Sequence, residues 1–145
     1  MERLDDERPV LELSAEECWA LLRSQEIGRV AYRLVDEVHI VPVNYLVDRG
    51  RLLIRSGSGN KLLAAALNSD AALEIDWFDD QNAWSVVVRG RLQRLTDHER
   101  NELGDLPLHS WVPTPKAELL VLLPAEVTGR RFLLRRGPDA DLEIT

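Results

Sequence analysis

The sequence predicts a mainly β, α+β domain in which six or seven antiparallel strands close into a small barrel flanked by short helices. Apolar and polar residues alternate over short runs separated by turn residues, the period of half-buried strands. These runs follow one another in hairpin order rather than alternating with long helices, which argues against a parallel sheet. Helical periodicity is confined to short stretches, each beside a capping or turn signal.

A chain of 145 residues makes one domain, 1–145, with an N-terminal arm (1–12) and a C-terminal tail (137–145). Its hydrophobic fraction of 45% and charged fraction of 30% match a soluble globular protein. A net charge of −7 lacks the basic footprint of a general nucleic-acid binder. No apolar run reaches the length of a membrane span, and MERLDDERPV has no signal-peptide core. The single cysteine, Cys18, precludes an internal disulfide, so cytoplasmic residence is the default expectation. His39, His98 and His109 are scattered without ligand spacing, so no metal site is expected. No nucleophile elbow or nucleophile–base pair is visible, and catalytic residues stay unassigned.

Residues 1–12 read as a loose arm or short strand. Ser14-Ala15-Glu16-Glu17 forms a capping box, and Cys18, Leu21, Leu22 and Gln25 follow at helical spacing. Cys18 on that apolar face is a small core residue. Gly28 to Arg33 and Val38 to Val47 alternate as strands. In the second, His39, Val41, Val43, Tyr45 and Val47 share one face, and Ile40, Pro42, Asn44 and Leu46 the other. Asp48-Arg49-Gly50 makes a tight turn into the strand Arg51 to Ser56.

Lys61 to Leu67 reads as a short helix ended by Asn68-Ser69-Asp70, and Ala71 to Phe78 as a strand. Trp84 to Leu92 is the strongest strand signal: three consecutive valines imply burial on both faces, and Gly90 a bulge or bend. Thr96 to Glu99 caps a second helix reaching Leu103. The Pro-rich stretch 104–117 contains Trp111 and reads as an ordered loop or arm. Leu119 to Leu123 and Glu126 to Leu134 are the last strands, broken by Pro124. Trp19 and Trp77 are expected in the core, Trp84 in the core or in a ligand wall, and His98 on an exposed helix face.

Two stretches carry chemistry. Arg55-Ser56-Gly57-Ser58-Gly59-Asn60-Lys61 joins a strand to a helix start, with two glycines, two hydroxyls, a guanidinium and an ammonium. Backbone N–H groups and the helix dipole would favour an anion there. The spacing is neither the nucleotide-triphosphate loop nor the dinucleotide fingerprint, so a phosphate nest and a flexible capped turn both remain open. Pro42 cannot donate to a strand ladder and belongs at an edge or bulge. Its strand keeps backbone groups for another partner, with Asn44 beside them, or is an ordinary edge.

Taken in order, several motifs resemble those of the pyridoxamine 5′-phosphate oxidase-like FMN-binding split β-barrel family. They are Leu13-Ser14-x-x-Glu17-Cys18-x-x-Leu21-Leu22, Gly28-Arg29-Val30-Ala31, Val41-Pro42-Val43-Asn44-Tyr45, Arg55-Ser56-x-x-Gly59-x-Lys61-Leu62, Trp84-Ser85-Val86-x-Val88-x-Gly90 and Val127-Thr128-Gly129-Arg130-Arg131, across roughly residues 11–133. The resemblance implies an antiparallel split barrel, paired as a homodimer with an FMN in each interface cleft. It places the phosphate against Arg55, Ser56, Ser58 and Lys61, and the flavin ring along Pro42, Val43, Asn44 and Tyr45. Trp84 and Ser85 would close the site, Trp111 would reach across from the partner, and Arg130 and Arg131 are weaker candidates. It further implies a flavin-dependent oxidoreductase acting on a small planar organic substrate. Basic residues for a substrate phosphate are not found, which argues against pyridoxamine phosphate itself. Related barrels bind a deazaflavin or haem, with His39 the histidine nearest the cleft, and a non-enzymatic flavin carrier is a further alternative.

Overall fold

The computed structural model describes residues 9–56, 67–103 and 118–134. The elements are β1 (Val10–Glu12), α1 (Ala15–Ser24), β2 (Ile27–Leu34), β3 (Glu37–Asp48), β4 (Arg51–Ser56), β5 (Leu67–Phe78), β6 (Asn82–Arg94), α2 (Asp97–Leu103) and β7 (Glu118–Leu133). Strand order is β1-β7-β4-β3-β2-β5-β6, and β7 also pairs with β6. Strands β2 to β7 therefore close a six-stranded antiparallel ring. The long β7 makes closure possible: along one edge it meets β4 and then β1, and along the other it follows β6.

The period of two sends alternate residues inward. Val30, Val43, Ile54, Leu73, Val86 and Leu122 are among those that fill the interior. Burying each such side chain stabilises the fold by about 1.5–3 kcal/mol. Helix α1 closes one end with Cys18 and Leu22 buried. It sits close: a Cβ on Gly129 of β7 would lie 2.7 Å from the Cys18 sulfur. The Tyr45 hydroxyl donates to the Leu22 carbonyl at 2.6 Å, and burial pushes its pKa well above the ordinary phenol value. The expected capping box of Ser14 with Glu17 forms, and the expected cap of the second helix takes the same form, Thr96 with Glu99.

Three expectations are corrected. The last two strands are one, because β7 runs through Pro124. Arg89 pairs with Glu126 but Gly90 pairs with Pro124, so Ala125 is an extra residue in a bulge. A Cβ on Gly90 would sit 2.0 Å from the Leu123 carbonyl oxygen, so only glycine admits this bulge, which in turn accommodates the proline. Asn68, Ser69 and Asp70, expected to end a helix, belong to β5, with an irregular register between Leu67 and Ser69. Pairing with β6 outweighs their turn propensity there. Residues 61–66 of the expected helix lie outside the described residues, as do 104–117. Trp77 is 46% exposed instead of in the core, because it lies at the far end of β5 beside the β5–β6 turn. Trp19 does pack against the core.

Two-residue turns join β2 to β3 and β3 to β4. Arg49 and Gly50 have φ of 48° and 74°, as the tight hairpin requires. Val35 has φ 59°, a region that a β-branched residue occupies only under strain.

Candidate functional site

The site begins with the two edges of β3. The Tyr45 N–H donates to the Glu26 carbonyl at 3.0 Å, so by alternation the backbone of the odd residues faces β2 and that of the even residues faces away. On β2's side the ladder is unbroken from Glu37 to Asn44. On the other edge β3 pairs with β4 only from Asn44 to Asp48. The N–H that Pro42 lacks would have pointed to that second edge, ahead of the β4 pairing. The proline therefore costs the β2–β3 ladder nothing.

Side chains alternate as well. Pro42 and Asn44 lie on the outer face, while Val43 and Tyr45 turn inward and are 7% and 3% exposed. The side chains of Val43 and Tyr45 belong to the core, so of the four expected ring contacts only Pro42 and Asn44 present their side chains to the outer face. Among the described residues, Asn44 is the buried polar one, at 9% exposure. Directly opposite it on β4 stands Arg55, whose Nε is buried. Arg55 and Ser56 end β4. Ser58, Lys61 and Trp111 lie outside the described residues.

Trp84 and Ser85, expected to close the site together, take opposite faces of β6 because they are adjacent in a strand. Trp84 packs against the core, in register with Trp77 and Arg131. Ser85 is on the outer face, in register with Asp76 and Arg130. The same alternation separates the two arginines, leaving Arg130 outward beside Ser85. Going from Asn44 to Ser85 around the barrel crosses β2 and β5, three strand spacings or about 14 Å.

Beside Ser85, a groove of about 460 Å³ crosses the outer face of β6 and β7. Val87 and Thr128 lie along it, with Glu12 and Arg130 toward one end and Arg89 and Glu126 toward the other. The expectation that all three valines of Val86-Val87-Val88 are buried is corrected here: Val87 is only half-buried, because it faces this groove instead of the core.

Between the two regions sits an ionic cluster that sequence reading missed. Arg29 is in register with Pro42 on one side and Glu74 on the other. Its Nε and Nη2 donate to Glu74 Oε1 at 3.1 and 2.5 Å, and Nη2 also donates to Asp76 Oδ2 at 2.7 Å. Burial, together with the neighbouring Asp76 carboxyl, pushes the Glu74 pKa up despite the guanidinium.

His39 faces inward, stacked on Tyr32 with ring centroids 5.3 Å apart and Nε2 at 3.2 Å from Glu37. It therefore lies on the face opposite Pro42 and Asn44, wrongly placed to ligate a haem lying there. Among the described residues no cluster could hold a metal ion, and no helix is long and apolar enough to cross a membrane.

The comparisons agree with this architecture. The family profile for pyridoxamine 5′-phosphate oxidase matches residues 14–131. An uncharacterized protein of Mycobacterium tuberculosis is 35% identical over 133 residues, covering 87% of this chain and 88% of its own. The fold is similar to that of a Corynebacterium glutamicum protein provisionally described as a pyridoxamine 5′-phosphate oxidase. That match has a TM-score of 0.80 and 40% identity, over 90% of this chain and 98% of the other. It is also similar to an FAD-binding protein of Mycobacterium smegmatis, with a TM-score of 0.73 and 35% identity over 85% and 98% of the two chains. With a closed antiparallel ring, a proline-bearing strand that β4 joins only from Asn44 on, and a profile match spanning most of its length, this chain belongs to the pyridoxamine 5′-phosphate oxidase-like split-barrel family.

Proposed function

We propose that this protein binds a flavin through its ribityl phosphate, as a homodimer, and acts as a flavin-dependent oxidoreductase on a small planar organic substrate. The carrying observation is the outer-face pair Asn44–Arg55, set at the end of β4 where the chain enters the stretch 57–61. FMN is the expected cofactor; the FAD bound by the Mycobacterium smegmatis protein contains the same phosphate-bearing moiety.

The donor set suits such a ligand. Arg55 and Lys61 supply charge-assisted hydrogen bonds worth about 1.5–3 kcal/mol each to a phosphate. The Ser56 and Ser58 hydroxyls add neutral donors. Asn44 offers an amide to the polar edge of the ring, and the even-numbered backbone of β3 borders the same space. The bound flavin would supply the hydride or electron transfer, so the chain needs no acid–base pair of its own.

The distance around the barrel supports the dimer. Around the barrel, Asn44 is about 14 Å from Ser85 and its groove, and Arg55 lies one strand farther along that path. A second copy presenting its Ser85, Arg130 and Trp111 across the cleft would supply the other wall.

The test is the cofactor itself. Protein as isolated, and protein saturated with FMN or FAD, is denatured, and the released ligand is identified by absorption spectrum and mass. A flavin at one per chain is the expected result. A deazaflavin, haem, or no ligand under any loading condition overturns the reading. Oxidation of NADH or NADPH, with and without an added acceptor, separates an enzyme from a flavin carrier.

A further inference from the structure

We propose that the Arg29–Glu74–Asp76 cluster sets the charge of the proposed cofactor site and weakens its hold on the reduced, negatively charged flavin relative to the oxidised one. The inference rests on the flavin reading above. It names Arg29 as a positioning residue that acts through its two carboxylate partners.

The geometry begins with register. Arg29 stands directly opposite Pro42, which precedes the start of the β4 pairing on the other edge of β3. Opposite residues in a non-hydrogen-bonded antiparallel pair have Cβ atoms about 4.5–5.5 Å apart. Both side chains are on the outer face, the face that also carries Asn44 and Arg55. A lone arginine here would favour a ring that gains negative charge on reduction. This arginine is not alone. Its Nε and Nη2 are occupied by Glu74 and Asp76 at 2.5–3.1 Å. With both carboxyls ionised, one positive and two negative charges leave the cluster at minus one.

Among the described residues, no other charged side chain stands directly opposite these groups. In register with Glu74 and Asp76 on β6 are Val87 and Ser85, and on β3 the neighbour is Pro42. Arg89 is the next outward charge along β6, with Glu126 opposite it. Two strand steps of about 4.8 Å separate β3 from β5. Over such distances, at the effective dielectric of a protein surface and with the screening of physiological salt, a unit charge changes an equilibrium about threefold. The cluster is thus close enough to matter and carries the sign that opposes reduction.

The test compares affinities for FMN and for chemically reduced FMN under anaerobic calorimetry, which needs no substrate. In Glu74→Gln/Asp76→Asn the remaining Arg29 charge should raise the preference for reduced FMN by about tenfold, a positive shift of about 30 mV for a two-electron couple. Arg29→Gln should move the preference several-fold in the opposite direction. Arg29→Lys, which keeps the charge, should stay near the wild-type value. A purely structural cluster would not give opposite signs for oppositely charged substitutions. Should Arg29→Gln fail to fold, Asp76→Asn decides alone, since its half-exposed side chain can be changed with little disturbance. Its preference should move in the same direction as the double variant's. Shifts of one common sign, or no shift in proteins that bind oxidised FMN normally, overturn this inference and leave the flavin reading standing. Failure of the wild type to bind FMN in either state removes both.

Discussion

On its inner face, β3 presents Val43 and Tyr45 to the barrel interior, and Tyr45 commits its hydroxyl to the Leu22 carbonyl. One residue away, the outer face of the same strand presents Pro42 and Asn44, with Arg55 alongside. The inner face is chemically closed: each group is packed or bonded within the chain. The outer face gathers a buried amide, a guanidinium and an edge whose next pairing strand begins only at Asn44. A strand can serve both purposes because its side chains alternate, so changes on one face should be separable from changes on the other.

Removing the phosphate donors should give the largest effect. Arg55→Ala with Lys61→Ala, measured by flavin fluorescence titration, is expected to weaken binding by about 10²–10⁴-fold, the loss of two charge-assisted hydrogen bonds. The melting temperature of the ligand-free protein should fall less than for a core substitution. If it falls as far as for a core substitution, the two faces are not separable. On the inner face, Ile54→Ala should cost about 2–5 kcal/mol in urea unfolding through lost burial and a cavity. Any flavin still bound by the folded fraction should keep its affinity.

Smaller effects sharpen the boundary between core and rim. Val35 is 83% exposed with φ 59°, so Val35→Gly removes strain without removing packing. It should raise stability by about 0.5–1 kcal/mol, read as a higher urea midpoint.

The helix caps should respond to pH. Glu17 is held below the usual carboxylate range chiefly by its hydrogen bond with the Ser14 backbone, and Glu99 likewise by Thr96. A depressed folded pKa adds stability above the unfolded pKa and loses it as pH falls through the folded value. Glu74, pushed up by burial, has the opposite sign: its contribution is present below its unfolded pKa and is lost as pH rises through the folded one. The stability gap between wild type and Glu17→Gln/Glu99→Gln should therefore narrow as pH falls from 7 toward 3. A gap that widens on acidification would show that the caps are not the source.

Local features are legible in the order of residues alone. The capping box at Ser14 and Glu17 spans four residues, and the turn at Asp48-Arg49-Gly50 needs only a glycine and its neighbours. The two faces of β3 follow from a period of two. Features that join distant segments are not legible in this way. Arg29 and its carboxylate partners are 45 and 47 residues apart, and only the β2–β5 register brings them together. Pro124 reads as a strand break because the glycine that accommodates it belongs to another strand. Trp84 and Ser85 are neighbours in sequence, and it is their place in β6 that sends them to opposite faces.

The sequence by itself determined the strand periods, the caps, the tight turn, and the placing of Pro42 and Asn44 on one face. These depend on interactions within a few residues, where propensity and alternation suffice. Tertiary structure alone decided that β7 would cross Pro124 and close the ring, that Asn44 would be buried beside Arg55, and that Arg29 would be held by Glu74 and Asp76. Each of these depends on register between strands far apart in the chain, which is set by mutual packing rather than by local preference.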